Sequence, residues 1–448
     1  MIPFPISGAT PIAHPGPLPD SADVAIIGAG VMGICTALFL ARKGQRVVVV
    51  EKGRVAGEQS ARNWGWIRQQ GRDGAELPIM VEANRLWRQL AQEVDTDIGL
   101  AEGGVTYIAR TRDELDSFAA WLPVAASCDV DTRLLDAAET AALVPDAARG
   151  FAGALHTASD LRAEPWRAVP AIARRAAADG VTIVENCAAR ALDLEAGRIT
   201  GLLTEQGRVA VPQVVVAGGA WSSLFLRAHG VTIPQLAVRA SVMAVQAPAM
   251  AYPGAAEAGG TAWRPRADGG YTLAPGFVHQ LFLGPDAFRH LRAFVPQLRR
   301  NPLGTRLRPA APRGYPDAWT TPRRWAPDGP GPFEAIRVLN PDPDLRSLGR
   351  LLRSFEALFP DLGPPRVTAR WAGLIDTMPD VVPVVDRVAR IPGLIVATGL
   401  SGHGFGIGPG MGRVVADLVA GNDPGHDLTR FRLARFSDGT AIDLGDGL

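Results

Sequence analysis

Gly28, Gly30 and Gly33 stand at the spacing G-x-G-x-x-G, and Glu51 follows within the stretch DVAIIGAGVMGICTALFLARKGQRVVVVE. Glycines at that spacing seat a pyrophosphate. The first permits a sharp turn, the second lets phosphate approach the backbone, and the third lets a helix pack closely on a strand. The free N–H groups and positive dipole end of the helix then face the anion. An acid roughly 20 residues onward accepts hydrogen bonds from ribose hydroxyls and argues against a 2′-phosphate. The chemistry is dinucleotide binding, and the fingerprint leaves open which dinucleotide.

The elements that position these residues can be read around them. Val24 to Ile27 is an apolar run too short for a helix, and Ile34, Leu38 and Leu40 recur at helical spacing after the glycines. Arg42-Lys43-Gly44 suits a helix C-terminus, and Val47 to Val50 is a second buried strand, completing a βαβ unit. The Gly-, Ser-, Asn- and Arg-rich segment after Glu51 reads as a long ordered loop, backed by a helix from Leu77 to Val94.

Downstream, Gly103 to Ala109 reads as a strand, and Arg112–Leu122 and Leu134–Leu143 as helices. A helix from Pro165 to Ala178 leads to the strand Val181–Glu185, a hairpin near Ile199–Val211, and a buried strand Gln213–Ala217 closed by Gly218-Gly219-Ala220-Trp221. A nucleotide-domain strand so far downstream implies that the first fold is interrupted and resumed. Val238–Val245 and Gly270–Leu273 are β-like, and the Arg- and Pro-rich run after Leu298 reads as a solvated loop. The Leu345–Phe359 helix precedes a strand at Leu394–Ala397, a glycine-dense loop and a helix from Met411 to Leu418.

Composition sets outer limits. A chain of 448 residues holds two or three domains, and 47% hydrophobic with 20% charged residues is ordinary for a globular protein. A net charge of +1 gives no reason to propose nucleic acid, and no stretch approaches the roughly 20 apolar residues of a membrane span. The leading 22 residues lack the pattern of a secretory signal and read as a Pro-rich extended tail. Cys35, Cys128 and Cys187 are too scattered for a disulfide framework or a metal site, so a cytoplasmic setting is the default expectation.

Four separated motifs give the chain a family likeness: GAGVMG with Glu51, SARNWGWIRQ, VVVAGGAWS, and WAGLIDTMPDVVPVVD followed by GLIVATGLSGHGFG. In order and spacing it resembles the FAD-dependent D-amino-acid oxidase superfamily, in its glycine oxidase, sarcosine oxidase and D-amino-acid dehydrogenase branch. The resemblance implies an α/β, two-domain protein, with a Rossmann-like FAD-binding domain from residues 23–100, 155–235 and 365–448. Residues 101–154 and 236–364 would form an interleaved, mainly antiparallel β-sheet substrate domain. The implied cofactor contacts, besides Gly28, Gly30, Gly33 and Glu51, are Met32, Lys52, Ser60, Arg62, Asn63, Trp64, Ala188, Ala217, Gly218, Trp221 and Gly373. Gly402, His403, Gly404 and Phe405 would lie beside the flavin.

Two departures from the resemblance matter. Gly373 stands where sarcosine oxidases carry the cysteine that attaches flavin, which implies noncovalent FAD, and Gly406 replaces a lysine that promotes reaction with oxygen. The electron acceptor is therefore O2 or a carrier.

The reaction expected is oxidation of an amino acid or secondary amine at its α C–N bond, with hydride passing to flavin and the imine hydrolysed to an oxo acid. A guanidinium matches a carboxylate by its bidentate fork, which makes Arg68 and one of Arg264 or Arg266 the candidates for the substrate carboxylate. Tyr271 offers a hydroxyl, while His403 and His279 offer proton movement. Trp64, Trp66, Trp263 and Trp371 hint at an aromatic-lined site. Oxidation of a 2-hydroxy acid, N-demethylation, and service as the flavoprotein subunit of a hetero-oligomeric dehydrogenase are the other readings. The sequence leaves oligomeric state and substrate chirality open.

Overall fold

The structure is a computed structural model that describes residues 4–276, 279–302 and 304–447. Residues 1–3, 277–278, 303 and 448, which fall within the predicted segments, lie outside it. A six-stranded sheet runs in the order Val384–Arg387, Leu394–Thr398, Gln213–Val216, Val24–Ile27, Val47–Val50, Thr182–Val184. All its pairings are parallel except that of Val384–Arg387. Both faces are covered, which is why its strands read as unbroken valine and isoleucine runs. Val24, Ile26 and Val49 join one core with the helices Val31–Ala41, Leu77–Glu93, Pro165–Ala178 and Gly404–Ala420. Ala25, Val48 and Val50 point to the opposite core, under a three-stranded antiparallel sheet of residues 189–210.

A ten-stranded, mainly antiparallel sheet forms the second layer system. Its long central strand, Leu236–Gln246, pairs with Arg366–Thr377 along almost its whole length. The chain then crosses back, because residues 378–383 lead straight into the first sheet. Strand pairing therefore shifts two expected boundaries. Gly153–Thr157 and Arg366–Thr377 belong to the ten-stranded sheet, not to the segments beginning at 155 and 365.

Three local expectations change. Residues 134–143 are not one helix. Thr132–Leu135 is a strand, and Asp136 starts the helix Ala137–Leu143 through a capping box with Glu139. The glycine-dense stretch before Met411 is helical from Gly404. Its glycines are spacing elements: a Cβ on Gly412 would come 2.5 Å from the Cβ of Cys35, and one on Gly408 2.4 Å from a methyl of Val31. Small residues at i, i+4 let two helices of the first core nearly touch, so glycine marks close packing here and not a loop.

The Pro-rich leading segment is also more than a tail. Ile6 is buried, its carbonyl accepts from Arg62 at 2.8 Å, Phe4 packs on Trp166 and Trp371, and Pro15 bridges to Val184. The backbone N–H groups of Ala13 and His14 both donate to Glu185.

Candidate active site

Two adjoining clefts lie between the sheets. The first, about 1230 Å³, opens at the carboxyl ends of the parallel strands, where Ile27, Val50, Val216 and Ala397 line it. Ligands of open α/β sheets bind at this edge. Gly28, Gly30, Met32, Glu51, Lys52 and Ser60 line it, as do Asn63, Ala217, Gly218 and Trp221, and, from the far end of the chain, Gly402, Gly404 and Phe405.

The local geometry follows the motif. Gly28 has φ +104°, a conformation reserved for glycine, and a Cβ on Gly33 would stand 2.0 Å from the carbonyl oxygen of Gly28. Glu51 accepts from the N–H groups of Ala29 (2.9 Å) and Gly53 (2.7 Å), which fixes the acid at the end of its strand. Burial raises its pKa, against the opposing charge of Lys52. Ser60 supplies the cap of the Val31–Ala41 helix from a distance, its Oγ accepting from the Val31 N–H at 2.9 Å. Lys52 bonds Glu58 at 2.6 Å and the carbonyl of Ile336 at 2.8 Å, with its ammonium 4.5 Å from the Trp221 ring. A long, glycine-lined groove on a strand–helix edge suits an extended dinucleotide.

The remaining cofactor candidates do not line this cleft. Gly33 lies under its floor. Arg62 is buried in the wall, bonded to the carbonyls of Gly57, Ala372 and Ile6. Gly373 backs onto Gln59 and Arg62, and Ala188 is a core residue beside Ala189, which does line the cleft. Trp64 and His403 face the second cleft.

That second cleft, about 1920 Å³, shares Gln59, Asn63, Gly402 and Phe405 with the first, so the two meet along one strip. Leu236, Val238, Leu281, Phe294 and Ile375 make part of its lining apolar, and Trp64 and Trp66 add aromatic surface. Arg68, Arg72, Tyr107, Glu257, His279 and His403 supply its polar groups. Arg68 donates to the carbonyl of Gln70 and lies 5.5 Å from the Tyr107 ring. Arg72 is 3% exposed and donates from Nε to the Arg68 carbonyl at 3.1 Å, while its Nη1 has no hydrogen-bond partner among the described residues. Burial, reinforced by the Arg68 charge, lowers its pKa to about 9. A buried guanidinium with an unpaired N–H favours an anion beside it. The loop is fixed from behind by Asp160, which accepts from the N–H of Gln69 at 2.6 Å.

His403 Nδ1 lies 2.7 Å from Oε2 of the fully buried Glu76. Burial, and secondarily Arg72, lowers the His403 pKa to about 4, so the ring is neutral near pH 7. Burial also opposes charge on Glu76, but His403, Arg72 and Arg68 outweigh it and hold its pKa below the usual value.

Two catalytic candidates fall elsewhere. Tyr271 packs in the core of the ten-stranded sheet, its hydroxyl accepting from the Met250 N–H at 2.7 Å and donating to the Pro248 carbonyl. Arg266 pairs with Asp268 and stacks 4.6 Å from the Trp166 ring. Its neighbour Arg264 is 1% exposed and locked bidentately on Glu164, both contacts 3.0 Å. Neither arginine lines a cleft, because each has a partner supplied by the fold. Trp263 and Trp371 are likewise core residues. The reading missed Arg72, Glu76, Tyr107 and Glu257. No motif marks them, and Tyr107 and Glu257 become neighbours only through the parallel pairing of their strands.

A family model described as FAD dependent oxidoreductase matches residues 23–418. An L-amino acid deaminase from Proteus myxofaciens, solved in complex with anthranilate, superposes with a TM-score of 0.90 over 95% of each chain at 29% identity. Sarcosine oxidase subunit beta of an Arthrobacter species is 25% identical over 440 residues, 96% of this chain and 95% of that protein. The match to human mitochondrial sarcosine dehydrogenase, 28% identical over 230 residues, spans only 25% of that protein. With the dinucleotide groove built on its fingerprint and a family match covering nearly the whole chain, this protein belongs to the DAO family of FAD-dependent oxidoreductases and takes FAD as its cofactor.

Proposed function

We propose that the chain oxidises the α C–N bond of an L-amino acid with an apolar or aromatic side chain, giving an imine that water hydrolyses to a 2-oxo acid. The observation that carries this is the pair Arg68 and Arg72, the latter with a buried Nη1 that has no partner among the described residues, in an apolar and aromatic cleft that meets the nucleotide groove along Gln59, Asn63, Gly402 and Phe405. The likeness to L-amino acid deaminases at 29% identity supports the L series. FAD, when bound, supplies the hydride acceptor. The protein's part is to hold the carboxylate on the two guanidinium groups, bury the side chain against the apolar wall, and present the α-carbon at the strip the clefts share.

The groove residues named above hold FAD without a covalent bond to cysteine. Cys35 and Cys187 are buried with thiols pushed up to about 12 and about 11, and none of the three cysteines lines either cleft. At Gly406 a Cβ would lie 3.4 Å from both the Ile67 Cα and the Met80 Sδ, and the Gly406 carbonyl accepts from Trp87 Nε1 at 2.9 Å. These are ordinary contacts, so it is the glycine itself, standing where the related oxidases carry a lysine, that favours a carrier over O2 as acceptor. Among the described residues no helix is long and apolar enough to cross a membrane.

The test is product analysis of the purified yellow protein with L- and D-amino acids, N-methyl amino acids and 2-hydroxy acids, supplied with an artificial electron acceptor. Ammonia with a 2-oxo acid from the L series supports the proposal. Formaldehyde from N-methyl substrates, turnover of hydroxy acids alone, or turnover only after a second chain is added would replace it.

A further inference from the structure

Within the amino-acid reading above, on which this inference rests, we infer that His403, held by Glu76, is the residue that receives the substrate amino group. Its Nε2 accepts a hydrogen bond from the amine while Arg68 and Arg72 take the carboxylate.

The orientation of the ring follows from its partner. Glu76 is ionised, and an ionised carboxylate only accepts. The proton between the two groups therefore sits on His403 Nδ1. A neutral ring protonated at Nδ1 has its lone pair on Nε2, which makes no hydrogen bond among the described residues, and the side chain lines the second cleft.

Position decides between the acceptors available. His403 lies between Gly402 and Gly404, both of which line the nucleotide groove, so an amine bound to it sits close to the shared strip where the α-carbon must be. Glu257 is also an acceptor in the second cleft, but it already takes the Gly260 N–H and does not reach that strip, and Gln59, which is on the strip, has its unpaired Oε1 buried against Gly373. The two guanidinium groups offer only donors, which suit the carboxylate and repel an ammonium. They therefore favour the uncharged amine, whose N–H needs an acceptor and whose lone pair assists loss of the α-hydride. Glu76 does not reach the substrate in this arrangement. It is a positioning residue that sets the tautomer of His403.

The test uses two ligands that differ by an amino group, benzoate and anthranilate, and reads their dissociation constants from the perturbed flavin spectrum of the holoenzyme. His403→Ala should lower the preference for anthranilate over benzoate about tenfold, the order of one lost hydrogen bond, and leave benzoate within about twofold. Glu76→Gln should lower the preference too, because the ring is then free to place its proton on Nε2. His403→Gln, which keeps an acceptor, should recover part of it. Equal weakening of both ligands would assign His403 a structural role and overturn the inference, as would an unchanged preference. If neither ligand binds the wild-type holoenzyme, the amino-acid reading itself fails and the inference with it.

Discussion

The two clefts are built by different means. The nucleotide groove is made largely of backbone: glycines where a side chain cannot fit, a helix terminus capped by Ser60, and an acid held by two N–H groups. The substrate cleft is made of side chains, among them the buried Arg72, whose Nη1 has no hydrogen-bond partner among the described residues, with Glu76 buried behind His403. Backbone sites are dictated by short local sequence. Side-chain sites depend on which distant segments the fold brings together, and their open groups wait for a ligand.

Substitutions can break that contrast. The largest effect is expected in the groove. Gly33→Val forces a side chain into the Gly28 carbonyl, so the purified variant should lose its bound flavin and its yellow colour. Next is a charged residue outside both clefts: Arg264→Ala leaves Glu164 buried and unpaired, which should cost about 3–5 kcal/mol in urea unfolding.

A pH effect of similar size belongs to Glu257, whose carboxyl is pushed up by burial to about 7 from an ordinary 4.5. The folded protein keeps a proton that the unfolded chain has released, so stability falls as pH rises from about 4.5 to about 7 and levels off above that. Glu257→Gln should remove up to about 3 kcal/mol of that slope, measured as denaturant midpoint against pH. Arg72→Ala should raise the substrate KM about a hundredfold with flavin content unchanged, which a groove residue would not do. Arg266→Ala is the small end of the series. Its guanidinium lies outside both clefts, but the side chain is only 8% exposed and stacks on Phe4 and Trp166, so kinetics should hold within about twofold while stability falls by about 1–2 kcal/mol through lost packing.

The same contrast explains what the sequence made legible. In the groove lining, Gly28, Gly30 and Glu51 carry their reason locally in the βαβ frame, whereas Met32, Lys52, Ser60, Asn63, Ala217, Gly218, Trp221, Gly402, Gly404 and Phe405 were legible only through the family resemblance. The Pro165–Ala178 helix likewise announces itself by proline at its start and a periodic apolar face. Arg264, Arg266 and Tyr271 misled because residue type speaks of capacity, whereas partners decide use: Glu164, Asp268 and the Met250 N–H had already claimed them. The helical glycines before Met411 misled for a related reason, because their need is a neighbouring helix that the sequence does not display.

The most direct test of the account is anaerobic stopped-flow mixing of the holoenzyme with L-phenylalanine, following flavin bleaching in the wild type and in Arg72→Ala. The account predicts saturable bleaching in the wild type, no bleaching by the D enantiomer, and the same limiting rate reached only at far higher substrate in the variant. Absence of bleaching by any amino acid, or identical saturation curves for the two proteins, would contradict it.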